Sequence, residues 1–481
     1  MLSIGFLSVG FLMSSCSGYL DVNTDPTRIN EDQVTLAALL PTVIEATTQA
    51  QYSFEFSIGQ ITQHITSVTG GGADQHEEVR LDGAWSTTYL TAMTNLTLMI
   101  DKANALNSPQ YAGVGKILLA YNLLTATTTW ESVPFSQAFN IKTLKPEYDS
   151  QESIYQKINQ LLDEAVLDVD KTSVRIVGAE DIMYSGNLAR WKAAAKGLKA
   201  RVAMHRSVKD PIGAATNALA ALSGSISSSA NDLQLAYNTR NLNPWNSGVA
   251  LANNTGNFTV RHSQQLVDAM NGTTFGVFDP RLPFIGGRLK ANVNVTTWVG
   301  SENGSGASSN VDFSELSWHS KATSPIEMIT FAETKFIQAE AEFLKNGGTT
   351  TSKGTTAAGY QAYLDGITAS LNKIGVADTA RARYIAAPQV AVGAANLTLQ
   401  LVMAEKFKAM FLSPETWNDY RRWDFSKDVF KDLDLPRNQS KALAGKWIER
   451  ALYPLDEFSR NGEVAGRNLK AANVKMWIFT K

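Results

Sequence analysis

The chain has 481 residues, 44% of them hydrophobic and 18% charged, with 43 Lys and Arg against 45 Asp and Glu. A net charge of -2 without a basic run excludes the electrostatic footprint of a nucleic-acid-binding protein, and the apolar content excludes a disordered chain. The only cysteine is Cys16, so an intramolecular disulfide, a cysteine-based zinc site and CxxC redox chemistry are all ruled out.

Leu2 to Met13 is an almost unbroken apolar run without charge, followed by Ser14, Ser15 and Cys16. A transmembrane helix needs about 20 apolar residues, so the run is too short to span a bilayer. Small residues ahead of a cysteine at the end of such a run resemble a bacterial lipoprotein box. By that resemblance residues 1–15 are a signal peptide and Cys16 carries acyl chains, with residues 16–32 as a tether. Each buried methylene is worth about 0.8 kcal/mol, so two or more chains anchor a protein without crossing the membrane.

From Val34 the spacing of Leu36, Leu39, Leu40, Val43 and Ile44 predicts a helix. Gly70-Gly71-Gly72 interrupts it, and the acids Asp74, Glu77 and Glu78 that follow have oxygen ligands for a calcium ion without EF-hand spacing. Tyr89, Met93, Leu96, Ile100 and Ala103 form the next stripe, stopped by Asn107 and Pro109, and Val114 to Leu124 form another; together they predict a helical hairpin. Asp149, with Glu152 three residues on, reads as a capping box for a helix buried through Ile154, Ile158, Leu161 and Leu162. Asn187 caps the next helix, whose stripe is Trp191, Ala195, Leu198 and Val202; its basic residues, Arg201 among them, read as a solvated face.

Between 214 and 320 Ser, Asn, Gly and Thr dominate and helical stripes fade, which predicts long functional loops. Helices return from Ser324-Pro325 with the stripe Ile329, Ala332, Phe336, Ala339 and Phe343, then Tyr360 to Ile374, then Leu399 to Met410; the tail from Pro436 reads as loop. The pattern is all-α: tetratricopeptide-like helical hairpins with long irregular loops and few or no strands, and one domain over 16–481.

Catalytic motifs are scarce. Glu333 and Glu340 share a helix face about 10 Å apart, at the edge of the spacing used by inverting glycosidases, but acids along one helix do not flank a sugar ring. Pairing with arginines such as Arg421 or Arg422 between packed helices is the simpler role. The five histidines show no zinc-ligand spacing, and neither a nucleophile elbow nor a Walker sequence occurs, so no cofactor and no metal is expected. What remains is aromatic and polar loop surface, with Trp85, Trp245, Trp298 and Trp318 as candidate ligand contacts.

Several stretches, taken together and in order, resemble the SusD/RagB family of outer-membrane nutrient-binding lipoproteins: Leu20-Asp21-Val22-Asn23 with Asp25-Pro26, Val133-Pro134-Phe135, Trp191-Lys192 with Leu198-Lys199-Ala200-Arg201, Asp279-Pro280-Arg281, Phe336-Ile337-Gln338-Ala339-Glu340-Ala341, and Trp417 with Tyr420-Arg421-Arg422. The resemblance implies a helical hairpin fold, no catalysis, and a lipid-anchored protein on the cell surface that delivers an oligosaccharide or peptide to a TonB-dependent transporter. It places 214–320 at the ligand and Trp85, Trp298 and Trp318 in ligand-bearing regions. Two other function classes stand beside it, a carboxylate glycoside hydrolase and a helical-repeat scaffold that binds protein.

Overall fold

The structure is a computed structural model that describes residues 34–140, 142–288, 297–307, 309–443 and 445–481. Cys16, the segment 1–15 and the tether 16–32 lie outside the described residues. Helix α1 (Leu36–Ile61) starts where the Thr35 hydroxyl accepts the Ala38 N–H, and it buries Leu39, Leu40, Val43 and Ile44. A second helical run goes from α2 (Asp82–Ser86) through one stretch of π-helix (Thr87–Met93) into α3 (Thr94–Ala105). Leu106 to Ser108 turn the chain into α4 (Pro109–Trp130), with proline in the first turn, where its missing N–H costs nothing.

Helices α5 (Gln151–Asp168), α6 (Leu188–His205) and α7 (Pro211–Leu222) continue the array. Each packs on its predecessor, and the next helix in space after α7 is α11 (Phe331–Lys345), followed by α12 (Ala357–Lys373). Consecutive hairpins stacked in this way are the tetratricopeptide-like, predominantly helical architecture that the apolar periodicity predicts. The chain therefore leaves the array after α7 and rejoins it at α11. Helices α13 (Asp378–Ile385), α14 (Leu399–Ala409) and α15 (Glu415–Arg422) complete the second half, α14 lying on α11 and α12.

Between α7 and α11 lie the short helices α8 (Leu251–Asn254), α9 (Gln264–Asn271) and α10 (Leu282–Ile285). Four two-stranded antiparallel ladders stitch loops together: β1 (Ile65–Ser67) with β5 (Val260–His262), β2 (Val133–Pro134) with β3 (Tyr148–Asp149), β4 (Leu233–Ala236) with β8 (Pro325–Ile329), and β6 (Gly287–Arg288) with β7 (Val311–Asp312). The pairing of β1 with β5 and of β4 with β8 fastens this excursion to the helical array.

Four local expectations change. Ser150, not Asp149, caps α5 by accepting the Ser153 N–H; the Asp149 carboxylate accepts the N–H groups of Phe135 and Ser136 instead. The segment after Ser324 is first a strand, and α11 begins only at Phe331 behind Thr330, whose hydroxyl caps Glu333 N–H. The region 214–320 is less irregular than its composition suggests, since α7 runs to Leu222 and three further helices follow. The tail holds α16 (Leu455–Asn468), which buries only Asn461, Val464 and Ala465 and so leaves little apolar periodicity to read.

Candidate functional site: a polar cleft clasped by Asp74

The site is built where three loops meet. Gly70, Gly71 and Gly72 all take positive φ, a conformation that side chains disfavour, and they fold the chain back into a short 3-10 turn. That turn carries Asp74 inward to zero exposure. Its carboxylate accepts hydrogen bonds from Thr66 Oγ1 (3.1 Å), Asn303 Nδ2 (2.7 Å) and the Gly304 N–H (2.7 Å). Burial pushes the Asp74 carboxyl above its ordinary range, and these donors oppose the rise. Gly304 in turn must be glycine, because a Cβ there would stand 1.8 Å from the Arg437 carbonyl oxygen. Arg437 N–H donates to Asn303 O (2.9 Å) and Ser440 N–H to Gln75 O (2.9 Å), so the loops near 74, 303 and 437 lock as one unit.

Against this unit lies a cleft of about 390 Å3. One side is the N-terminal half of α9 with Gln264, Gln265 and Asp268; Thr273 and Thr274 follow it. Gln63, Glu302 and Asn303 line it from the clasp, and Asp432 and Asp434 from the loop before Pro436. Its polar groups are oriented by one another. Gln63 Nε2 donates to Asp434 O (2.6 Å), Gln265 Nε2 to Lys431 O (3.1 Å) and Gln264 Nε2 to Asp268 Oδ2 (3.2 Å). Each glutamine thus uses its N–H on the protein, and its carbonyl oxygen remains an acceptor. Asn303 is the buried counterpart: its Nδ2 donates to Gln60 O, Ile65 O and Asp74, while its Oδ1 has no partner among the described residues. Amide and carboxylate side chains lining one concavity suit a ligand rich in hydroxyl groups. Among the described residues, none in the cleft forms a nucleophile with an adjacent base.

The predicted residues distribute unevenly around it. Trp85 and Trp245, expected at the ligand surface, are core residues. Trp85 is 7% exposed and packs 4.9 Å edge-on against Trp130; Trp245 is 1% exposed, donates Nε1–H to Glu55 (2.8 Å) and stacks 5.0 Å from Phe313. Burial of that surface outweighs display of an aromatic face. Trp298 is half-buried, and its carbonyl accepts from Asn271, the last residue of α9, which also binds Asp268. Trp318 is half-buried against the apolar cluster around Phe336, Tyr363 and Ile367, with Lys321 Nζ 5.6 Å from its ring centre, and it does not line the cleft.

The acids expected to pair are all internal. Glu340 takes a bidentate grip from Arg422 (2.6 and 3.0 Å). Glu333 pairs with Arg201 (2.6 and 2.7 Å), a residue that the sequence placed on a solvated face and that is 4% exposed. Arg421 meets no carboxylate within ion-pair distance among the described residues; its guanidinium stacks 3.9 Å from the Trp417 ring centre and donates to Glu449 O (2.8 Å), and burial lowers its pKa to about 9. Glu77 and Glu78 are exposed while Asp74 faces N–H and O–H donors, so these acids do not converge on a cation, and no group of three potential metal ligands forms among the described residues. Glu333 and Glu340, held by arginines, are not available as a hydrolytic pair.

No curated protein matches the sequence. Among solved structures, a SusD/RagB family protein from Bacteroides thetaiotaomicron shares the fold with a TM-score of 0.76 at 21% identity, over 93% of this chain and 99% of that one. A chitin-binding SusD homolog from Flavobacterium johnsoniae does so with 0.72 at 19%, over 93% and 99%. A SusD homolog from Bacteroides fragilis follows with 0.73 at 17%, over 93% and 100%. At these identities the likeness carries the fold alone. A family of binding proteins, described as starch-binding and associating with the outer membrane, matches residues 26–454. With the helical hairpin array and this match over most of its length, the chain belongs to the SusD-like family.

Proposed function

We propose that the protein is a non-catalytic receptor that captures an oligosaccharide in the cleft beside Asp74, is held at the outer membrane by acyl chains on Cys16, and hands its ligand to a TonB-dependent transporter. The observation that carries this reading is the grouping of Gln63, Gln264, Gln265, Asp268 and Asn303 around one cleft, in a chain whose family is described as starch-binding at the outer membrane. A chitin-binding protein among the similar structures supports a sugar ligand as well. No helix among the described residues is long and apolar enough to cross a membrane, which fits attachment through a lipid. A tethered receptor works at high effective concentration near its transporter, so modest affinity suffices.

Titration calorimetry with maltoheptaose and chitohexaose tests the capture step. Saturable binding of one of them is expected, with a loss of about tenfold in Asp268→Asn, because each cleft hydrogen bond to a charged group is worth about 1.5–3 kcal/mol. Absence of binding across both glycans and a wider panel, or cleavage of either, would overturn the reading. The anchor is tested separately by fractionating cells that express Cys16→Ala: the variant should appear folded in the soluble fraction, and continued sedimentation with membranes would exclude the acyl anchor.

A further inference from the structure

The polar cleft beside Asp74 is acidic on every side. Asp268 stands on the α9 wall, Glu302 on the clasp, and Asp432 and Asp434 on the loop before Pro436. Among the described residues, no Lys, Arg or His and no aromatic ring lines it. Gln265 Nε2 donates to Lys431 O (3.1 Å), which fastens the α9 wall to the acidic loop and gathers these carboxylates into one concavity.

The bases nearby neutralise this charge only in part. Arg437 reaches Glu302 at 3.1 Å and Lys427 reaches Asp434 at 2.5 Å, but the two basic side chains are 64% and 63% exposed, and ion pairs so open to solvent are weak. Lys431 donates from its ammonium to Thr274 O (2.8 Å). Asp268 meets the neutral amides of Gln264 (3.2 Å) and Asn271 (3.1 Å). Neither Asp268 nor the exposed Asp432 enters an ion pair among the described residues. Like charges held in one cleft focus a negative potential, which draws cations and turns anions away.

Asn303 points to the same ligand chemistry from below. It lines the cleft, is 4% exposed, and turns its Nδ2 to Gln60 O, Ile65 O and Asp74 in the interior. The Oδ1 on the other arm of that amide has no hydrogen-bond partner among the described residues. A buried acceptor of this kind calls for a donor. An ammonium group has three N–H donors and no acceptor, so it suits both Asn303 and the carboxylates around it. With no ring to stack on, a sugar here is held by polar contacts, and an ammonium adds charge attraction to each hydrogen bond it gives a carboxylate.

We propose that the cleft selects an oligosaccharide carrying free amino groups over neutral and acidic sugars, its ammonium groups set against Asp268 and Asp432 and a donor reaching Asn303. This rests on the carbohydrate reading of the cleft and adds the charge of the ligand to it. Titration calorimetry at pH 5.5, where hexaglucosamine is cationic, compares that sugar with neutral chitohexaose, with hexagalacturonate and with trilysine. Hexaglucosamine should bind at least about tenfold more tightly than chitohexaose and than trilysine, and hexagalacturonate should not bind. Raising salt from about 50 to about 500 mM should erase most of the preference, because exposed charges are then screened. Asn tolerates positive φ as Asp does, so Asp432→Asn keeps the backbone at φ +59°. That variant should lower the ratio of hexaglucosamine to chitohexaose affinity by about fivefold, and Asp268→Asn added to it should remove the preference. Equal affinity for the two hexasaccharides, both bound, would overturn the charge selection and leave the carbohydrate reading standing, whereas no binding of any glycan would overturn both. A preference unchanged in the double variant, or trilysine bound more tightly than hexaglucosamine, would also overturn the proposal.

Discussion

Asp74 shows how one side chain can hold a site without touching its ligand. Three donors from two segments, Thr66 on one and Asn303 and Gly304 on the other, end on its carboxylate at zero exposure. Asp74→Ala strands those donors in the interior, and each buried unsatisfied group costs about 1–3 kcal/mol. The expected loss is about 3 kcal/mol, read as a lowered urea midpoint with an unchanged slope, together with weakened glycan binding as Asn303 and Glu302 lose register. A variant as stable as the parent would mean that the clasp is not carried by this carboxylate. Arg201 shows a different aspect of the residue scale. It follows Ala194 and Leu198 at spacings of 4 and 3 and precedes His205 by 4, so its place on the buried stripe of α6 was readable from periodicity alone. Its charge pointed to solvent; a bidentate partner, Glu333, from a helix 132 residues away made burial tolerable.

At the scale of elements, glycines decide how closely α4 approaches its neighbours. A Cβ on Gly113 would meet Val169 Cγ1 at 2.8 Å, Val169 N at 3.1 Å and Ala165 O at 3.2 Å, two of them backbone atoms of the α5 end. A Cβ on Gly115 would meet Ile100 Cγ1 at 2.8 Å and Met99 Cε at 2.9 Å, side chains that can rotate. Alanine gains about 1 kcal/mol over glycine in a helix interior, whereas overpacking costs about 1–3 kcal/mol. Gly113→Ala should therefore destabilise by about 2 kcal/mol and Gly115→Ala should be near neutral; denaturant midpoints with the reverse order would show that α5 yields more easily than α3. Helices with a wide apolar stripe, such as α5 and α11, were legible in the sequence because their buried positions recur at 3 and 4. The ladder of β8, five residues long, and α16, with only three buried residues, lacked the length or the contrast for either period to stand out. The Asp149 cap failed because two neighbouring residues, Asp149 and Ser150, both have a side-chain oxygen, and only tertiary placement of the 135–136 loop decides which one faces the helix.

The molecule as a whole joins a helical array to a loop layer, and the cleft belongs to that junction. Its residues come from near 63, 268, 302 and 433, positions that no spacing rule connects, so the candidate site was legible only as a region, and Trp85 and Trp245 lie in the core because their large aromatic surface is buried by packing instead of lining the cleft. The same junction buries ionisable groups whose titration links stability to pH. His64 donates from Nε2 to Phe407 O (3.1 Å) and accepts Leu412 N–H at Nδ1 (3.1 Å), a pattern only the neutral ring satisfies, and burial lowers its pKa to about 3; His262, also about 3, stacks on the same Phe411. Their folded pKa values lie below the unfolded value near 6.5, so their contribution is present above pH 6.5 and is lost as pH falls towards 3. Glu55, between Gln51 and Trp245, goes the other way: burial raises it to about 8, so its contribution is present below about 4.5 and is lost as pH rises through 8. Above pH 6.5 only the Glu55 effect still changes among these groups. Stability should drop by on the order of 1–2 kcal/mol between pH 6.5 and 8.5, because one pKa unit corresponds to about 1.4 kcal/mol. In Glu55→Gln, whatever its stability at pH 6.5, that alkaline decline should flatten while the acid limb set by the histidines stays. Urea unfolding at pH 5, 6.5 and 8.5 separates the two limbs, and an alkaline decline that survives the substitution would assign it to other buried acids.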